Sequence, residues 1–162
     1  MAKADALARF TDAAAALGVE VDYVLYPEGT RTAADAAAAV GCEVSQIVKS
    51  LVLIGPDGPL LALTAGHNRL DTDALAAAVG GPVSMSDADA ARAATGFSIG
   101  GTPPFGHPAP LPTFLDPDLL HHDTVFAAAG TNDSCFPLSP ETLREVTDAT
   151  VFAFTAGKTG PG

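Results

Sequence analysis

The sequence predicts an α+β domain built around a mixed, largely antiparallel β-sheet, barrel-like and surrounded by helices. Three observations carry this expectation. Residues 46–54 form a strand signal with two apolar faces and lead through a tight turn into a second apolar run. The second half of the chain is rich in short apolar segments bounded by turn residues, which suits strands joined by hairpins. Helical spacing appears only in brief alanine-rich segments, scattered irregularly between those strands, rather than in regular strand–helix alternation. A chain of 162 residues is accommodated as one domain, taken as residues 1–155 with a disordered tail at 156–162.

The elements follow in order. Leu7, Phe10, Ala14 and Leu17 recur at helical spacing before Gly18, which predicts an amphipathic helix over 4–17. Residues 22–26 read as a short strand, ended by Pro27 and Gly29. Thr32 with Asp35 three positions on has capping-box spacing, so a second helix runs over 32–40 and stops at Gly41. In the central strand Ile47, Lys49, Leu51 and Leu53 share one face, and Val48, Ser50, Val52 and Ile54 share the other. Pro56-Asp57-Gly58 turns this strand into a partner at 60–64. Helices are expected at 71–79, capped by Asp71, and at 86–94, capped by Ser86 with Asp89 three residues later. Strands follow at 113–116, 124–128 and 135–138. Ser139-Pro140-Glu141 opens a last helix to about residue 146, and 150–154 is a final strand.

Between the helices and the later strands lies residues 96–107, GFSIGGTPPFGH. Its adjacent glycines and adjacent prolines exclude both a helix and a central strand, leaving a loop of fixed shape. Such a loop either presents its own peptide groups to a ligand or serves as a rigid connector.

Composition narrows the function. Eight basic and nineteen acidic side chains give a formal net charge of −11, opposite in sign to a general nucleic-acid binder, so DNA is not an expected partner and any nucleic-acid contact is local. No apolar run reaches membrane length, and Asp5 stands where a signal peptide would begin its apolar region, so a cytoplasmic protein with no membrane partner is expected. Cys42 and Cys135 are too few for a disulfide scaffold and read as reduced thiols.

Several residues invite chemistry. Lys49 lies mid-strand among aliphatic neighbours, where an ammonium needs an anionic partner, a lowered pKa or a cavity mouth; the alternative is a lysine snorkelling to solvent from an edge. Gly96-Phe97-Ser98-Ile99-Gly100 matches the Gly-x-Ser-x-Gly nucleophile elbow literally, but that motif needs a strand before the serine and a helix after it, and here a helix precedes and prolines follow. His121-His122-Asp123 does not make a metal site, because adjacent residues on an extended segment point to opposite faces. His67 and His107 sit in loops beside glycine, His107 closing the Gly/Pro loop. Arg31, Lys49, Arg69 and Arg92 would mark an anion site if they converge. No metal or cofactor is expected.

These residues together resemble the YbaK and prolyl-tRNA synthetase-associated family of aminoacyl-tRNA editing domains. The resemblance rests on Thr32-Ala33-Ala34-Asp35-Ala36-Ala37, Gln46-Ile47-Val48-Lys49-Ser50-Leu51, Ala94-Thr95-Gly96-Phe97 running into the Gly/Pro loop, Leu115-Asp116, Ala129-Gly130 and Leu138-Ser139-Pro140-Glu141-Thr142-Leu143. It implies a trans-acting hydrolase that deacylates tRNA, typically proline tRNA, carrying a wrong small amino acid such as alanine, cysteine or serine. It implies Lys49 as the functional, catalytic side chain and the loop around Gly100, Gly101, Thr102, Pro103 and Pro104 as the substrate cradle. Ser50, His107, Gly130 and Arg31 complete the expected substrate-binding set. Water attack is assisted, in this picture, by the substrate's own ribose 2′-hydroxyl. The expected partners are the tRNA acceptor end and prolyl-tRNA synthetase. The competing expectation is a module that binds an aminoacyl or nucleotide ligand in the same pocket without turnover.

Overall fold

The structure is a computed structural model and describes residues 3–26 and 32–158. Its helices are α1 (Lys3–Ala16), α2 (Ala33–Val40), α3 (Thr72–Val79), α4 (Ala88–Thr95) and α5 (Pro140–Thr147). Its strands are β1 (Val24–Leu25), β2 (Ile47–Gly55), β3 (Gly58–Ala65), β4 (Asn68–Leu70), β5 (Ser84–Met85), β6 (Thr113–Leu115), β7 (Val125–Ala127), β8 (Ser134–Leu138), β9 (Thr150–Val151) and β10 (Thr155–Lys158). The main sheet runs β1-β8-β7-β2-β3-β6-β9, with β5 added to β2, and β4 and β10 pair separately. Five of the strand pairings are antiparallel and three parallel, a mixed and largely antiparallel arrangement. The pairing path has two ends, β1 and β9, so hydrogen bonding among the described residues does not close it into a barrel.

The β2–β3 hairpin divides two cores. Val48 and Val52 with Leu61, Leu63 and Ala65 face the larger one, which Phe10, Phe105, Phe136 and Leu143 fill. Leu51 and Leu53 with Leu60 and Ala62 face a smaller one, completed by Leu75 and Phe154. This is the physical meaning of a strand that is apolar on both sides: each face buries against a different layer. Helix α1 covers the larger core with Leu7, Phe10 and Ala14, all buried at the expected spacing. Leu17 falls beyond the helix end and is 52% exposed, so it does not extend that face.

Capping chemistry fixes most helix starts. Thr32 accepts from the Asp35 N–H, Asp71 from Asp73 and Ala74, and Ser139 from Thr142, as the sequence predicts. At α4 the cap is Asp87, which accepts from Ala90, and not Ser86. The Ser86 N–H is held by the Val52 carbonyl, so Ser86 is still part of the sheet and the helix begins after it. The expected strand at 150–154 is broken: β9 stops at Val151, Phe154 is fully buried, and a second strand, β10, runs antiparallel to β4. The chain from Thr155 to Lys158 is therefore paired, where a disordered tail from residue 156 was expected. Burial of Phe154 and its carbonyl's bond from the Asp71 N–H bring it to that edge.

Candidate active site

β3 flanks β2 along nearly its whole length, from Val48 opposite Ala65 to Gly55 opposite Gly58. The other side of β2 is shared by two short strands. β7 pairs in parallel at Ile47 and Val48, and β5 pairs antiparallel at Leu53 and Ile54. Between them the ladder is interrupted, and Lys49, Ser50 and Leu51 line a cleft of about 670 Å³. A strand edge left open inside a fold offers backbone donors and acceptors to a ligand. The helix α2, the start of β8 and the turn at Thr131 and Asn132 supply other walls, and Ile99, Gly100 and Thr102 reach the cleft from the Gly/Pro loop.

Lys49 is held from behind. Its Nζ donates to the Asn68 carbonyl oxygen at 2.6 Å. Partial burial pushes the ammonium's pKa below the ordinary lysine value; Asp116 opposes that fall and Arg69 adds to it. The lysine therefore meets the cavity-mouth condition and does not snorkel away. Ser50 Oγ, one residue on, is buried with no hydrogen-bond partner among the described residues and lies in the same wall.

The Gly/Pro loop is more core than rim. Gly96 is the left-handed cap of α4, with φ 80°, and its carbonyl accepts from Arg9 Nη2 at 2.7 Å. Gly101 through Phe105 are all buried. The Ser98 carbonyl accepts from the Gly101 N–H at 3.0 Å and from the Thr102 hydroxyl at 2.9 Å, closing a tight turn that aims Gly100 outward. Ser98 thus follows a helix and leads into a turn, the wrong setting for a nucleophile elbow.

The structure does not bring every expected binding residue to the cleft. Lys49, Ser50, Gly100 and Thr102 line it, whereas Gly101, Pro103, Pro104, His107 and Gly130 do not. Gly101 packs on the Thr131 backbone, and Gly130, with φ 111°, packs on the Ala6 carbonyl and the Phe97 ring, so both are needed for close approach. His107 Nε2 bonds the Pro103 carbonyl at 2.8 Å, and burial lowers its pKa although that bond opposes the shift. Its ring braces the loop from behind. Arg31 lies outside the described residues. Arg69 is exposed and close enough to act on Lys49, whereas Arg92 is exposed on α4 and absent from the cleft wall.

Sequence reasoning missed other residues of the site. Tyr26 and Cys135 both line the cleft; burial raises the pKa of each, so neither is an ionised nucleophile at neutral pH. Thr131 donates to the Asp133 carboxylate at 2.6 Å, and Ser134 donates back to the Thr131 carbonyl at 3.2 Å, giving the turn a fixed shape. Asn68 and Asp118, together with the Asp116 already quoted in the resemblance, form a network behind Lys49 that no local pattern announces, because its members come from β4 and from the turn after β6. Among the described residues no group of three or more His, Cys, Asp or Glu side chains could hold a metal ion, and no helix is long and apolar enough to cross a membrane.

Comparison with known proteins bears on this geometry. Residues 27–146 match the family model described as "Aminoacyl-tRNA editing domain". An Enterococcus faecalis protein named "Putative Cys-tRNA(Pro)/Cys-tRNA(Cys) deacylase EbsC" is 32% identical over 108 residues, covering 65% of this chain and 66%, just under two thirds, of that protein. The Bacillus subtilis protein YwhH is 31% identical over 127 residues, covering 78% of this chain and 81% of its own. A crystal structure described as that of "a putative trans-editing enzyme for prolyl tRNA synthetase" superposes with a TM-score of 0.90 at 44% identity, over 94% of this chain and 98% of the other.

Proposed function

The chain belongs to the aminoacyl-tRNA editing domain family, and from that premise we propose that it is a trans-acting deacylase, hydrolysing the ester between a wrong, small amino acid and the 3′ end of a tRNA. The observation that carries the reading is the placement of Lys49: a partly buried ammonium on an interrupted strand edge, beside a serine hydroxyl without a partner among the described residues, in the wall of a cleft that Gly100 also lines. The substrate class is alanyl, cysteinyl or seryl ester of proline tRNA, with prolyl-tRNA synthetase as a further partner and the cytoplasm as the site of action.

The chemistry asks little of the protein. An aminoacyl ester is already activated, so orienting it and stabilising charge on the carbonyl oxygen supplies much of the acceleration. Water attacks the carbonyl carbon, the bond to the ribose 3′-oxygen breaks, and that oxygen leaves with a proton as the free hydroxyl. The substrate's 2′-hydroxyl assists the water. In this reading Lys49 holds the terminal phosphate or ribose oxygens, while peptide groups of Lys49 to Leu51 and of Gly100 orient the aminoacyl group. The −11 charge keeps contact with the rest of the tRNA weak and local.

The test is deacylation of proline tRNA charged with alanine, cysteine, serine or threonine. Lys49→Ala is expected to lower the rate by about 100-fold or more while circular dichroism stays unchanged. Full activity of that variant would sink the assignment. Equilibrium binding of a nonhydrolysable aminoacyl-adenosine analogue with no turnover across the panel would favour a binding module.

A further inference from the structure

Lys49 takes its direction from a residue that is itself clamped. Asn68 is 1% exposed, and its side-chain amide nitrogen donates to Asp116 Oδ2 at 2.8 Å and to Asp118 Oδ2 at 2.7 Å, which uses both of its hydrogens. Asp116 is also 1% exposed; Oδ2 further accepts from the Ala65 N–H, and Oδ1 from the Asp118 N–H, each at 3.0 Å. Both oxygens of Asp116 are therefore satisfied by N–H donors alone. The lysine receives none of these bonds directly. It reaches the Asn68 carbonyl, a group that neither titrates nor rotates on its own.

We propose that Asp116 and Asn68 are positioning residues for the editing reaction: Asp116 fixes the Asn68 peptide that aims the Lys49 ammonium into the cleft, and stands as the buried acid of the network behind it. The inference rests on the deacylase reading for its kinetic arm only. Asp116 is the group that counters the desolvation of Lys49, against Arg69, which works the other way. The other titratable groups at this network are Asp118, His67, whose Nε2 is 3.9 Å from Asp118 Oδ2, and His121, whose Nδ1 is 3.8 Å from Asp118 Oδ1.

Asp116→Asn is the discriminating variant. It removes the charge, and an amide in that place turns one NH2 group toward a donor, either the Asn68 amide and Ala65 N–H or the Asp118 N–H. The chain has only three lysines, Lys3, Lys49 and Lys158, so the Lys49 Cε resonance in 13C-lysine-labelled protein is assigned by its loss in Lys49→Arg. The expected result is a titration midpoint for Lys49 lower than in wild type. The alkaline limb of the pH–rate profile should move by the same amount, with kcat reduced about tenfold and KM little changed. An unshifted midpoint, with or without lost activity, would overturn the proposal. Asp118→Ala, which removes one of the two clamps at a half-exposed site, covers the case in which Asp116→Asn does not fold. It should lower kcat several-fold with KM unchanged, and wild-type kinetics would count against the clamp. A wild-type protein that deacylates nothing defeats the deacylase reading, while the lysine titration still decides whether Asp116 holds the charge.

Discussion

Gly101 lies so close to Thr131 that a Cβ built on it would stand 2.5 Å from the Thr131 Cα and 2.6 Å from its carbonyl carbon. The contact is backbone against backbone, so neither side can yield by a rotamer change. It ties the Gly/Pro loop to the turn that forms another wall of the cleft. Gly101→Ala is expected to cost about 2 kcal/mol of stability by overpacking and to depress deacylation with it. Among the described residues Gly100→Ala would meet only the Asn132 Cβ, at 3.4 Å, so its urea midpoint should match wild type within about 0.5 kcal/mol while its methyl group, facing the cleft, lowers activity. Equal midpoints for the two variants would show that the loop is not pinned in this way.

His107 provides a pH signature separate from the chemistry. Its folded-state pKa is lowered, by burial first, with the Pro103 carbonyl bond partly offsetting that effect. A depressed folded pKa means that the unfolded chain takes up the proton first as pH falls. The histidine's stabilising contribution is thus complete above its ordinary value near 6.5 and is lost as pH drops through the lower folded value. His107→Gln, which keeps a donor for Pro103, should lose less stability than wild type between pH 7.5 and 5. Parallel urea titrations at the two pH values measure the difference, and identical slopes with pH would refute the assignment.

Phe105 connects the loop to the larger core. Its ring centroid is 5.3 Å from that of Phe10 and 6.0 Å from that of Phe136, the latter edge to face. Removing it should leave a cavity and cost about 3–4 kcal/mol. Phe105→Leu, which retains most of the volume, should cost closer to about 1.5 kcal/mol. The deacylation rate should fall further in Phe105→Ala than in Phe105→Leu at a temperature where both remain folded, since the ring anchors the segment that presents Gly100. Thermal denaturation and single-turnover rates on the same preparations test this.

What the sequence made legible follows the range of each interaction. Caps such as Thr32 and Asp71, the Pro56-Asp57 turn and the doubly apolar β2 are written within a few neighbouring positions, and each is found where local chemistry puts it. Lys49 and Gly100 were legible as site candidates for the same reason, as a polar residue in an apolar strand and a glycine in a proline-fixed loop. The short strands β4, β5 and β10 were not, because Asn68–Leu70, Ser84–Met85 and Thr155–Lys158 lack the apolar runs that mark β6 and β7 and exist by virtue of the partner they meet. The Ser86 cap failed through tertiary override: its N–H was already taken by Val52 from another strand. The Asn68 and Asp116 pair are 48 positions apart. Nothing about an asparagine after a histidine, or an aspartate after a leucine, tells which carbonyl a distant lysine will reach.

The interruption of β2 between β7 and β5 has a consequence for how this cleft can change over evolutionary time. A surface made of peptide groups survives every substitution, apart from proline, with its donors and acceptors intact. Point mutation can crowd that surface but cannot erase it. Heritable variation is thereby channelled to the side chains that line the cleft, Tyr26, Ile99 and Phe126 among them. A lineage can retune the rim of its cleft without rebuilding the floor.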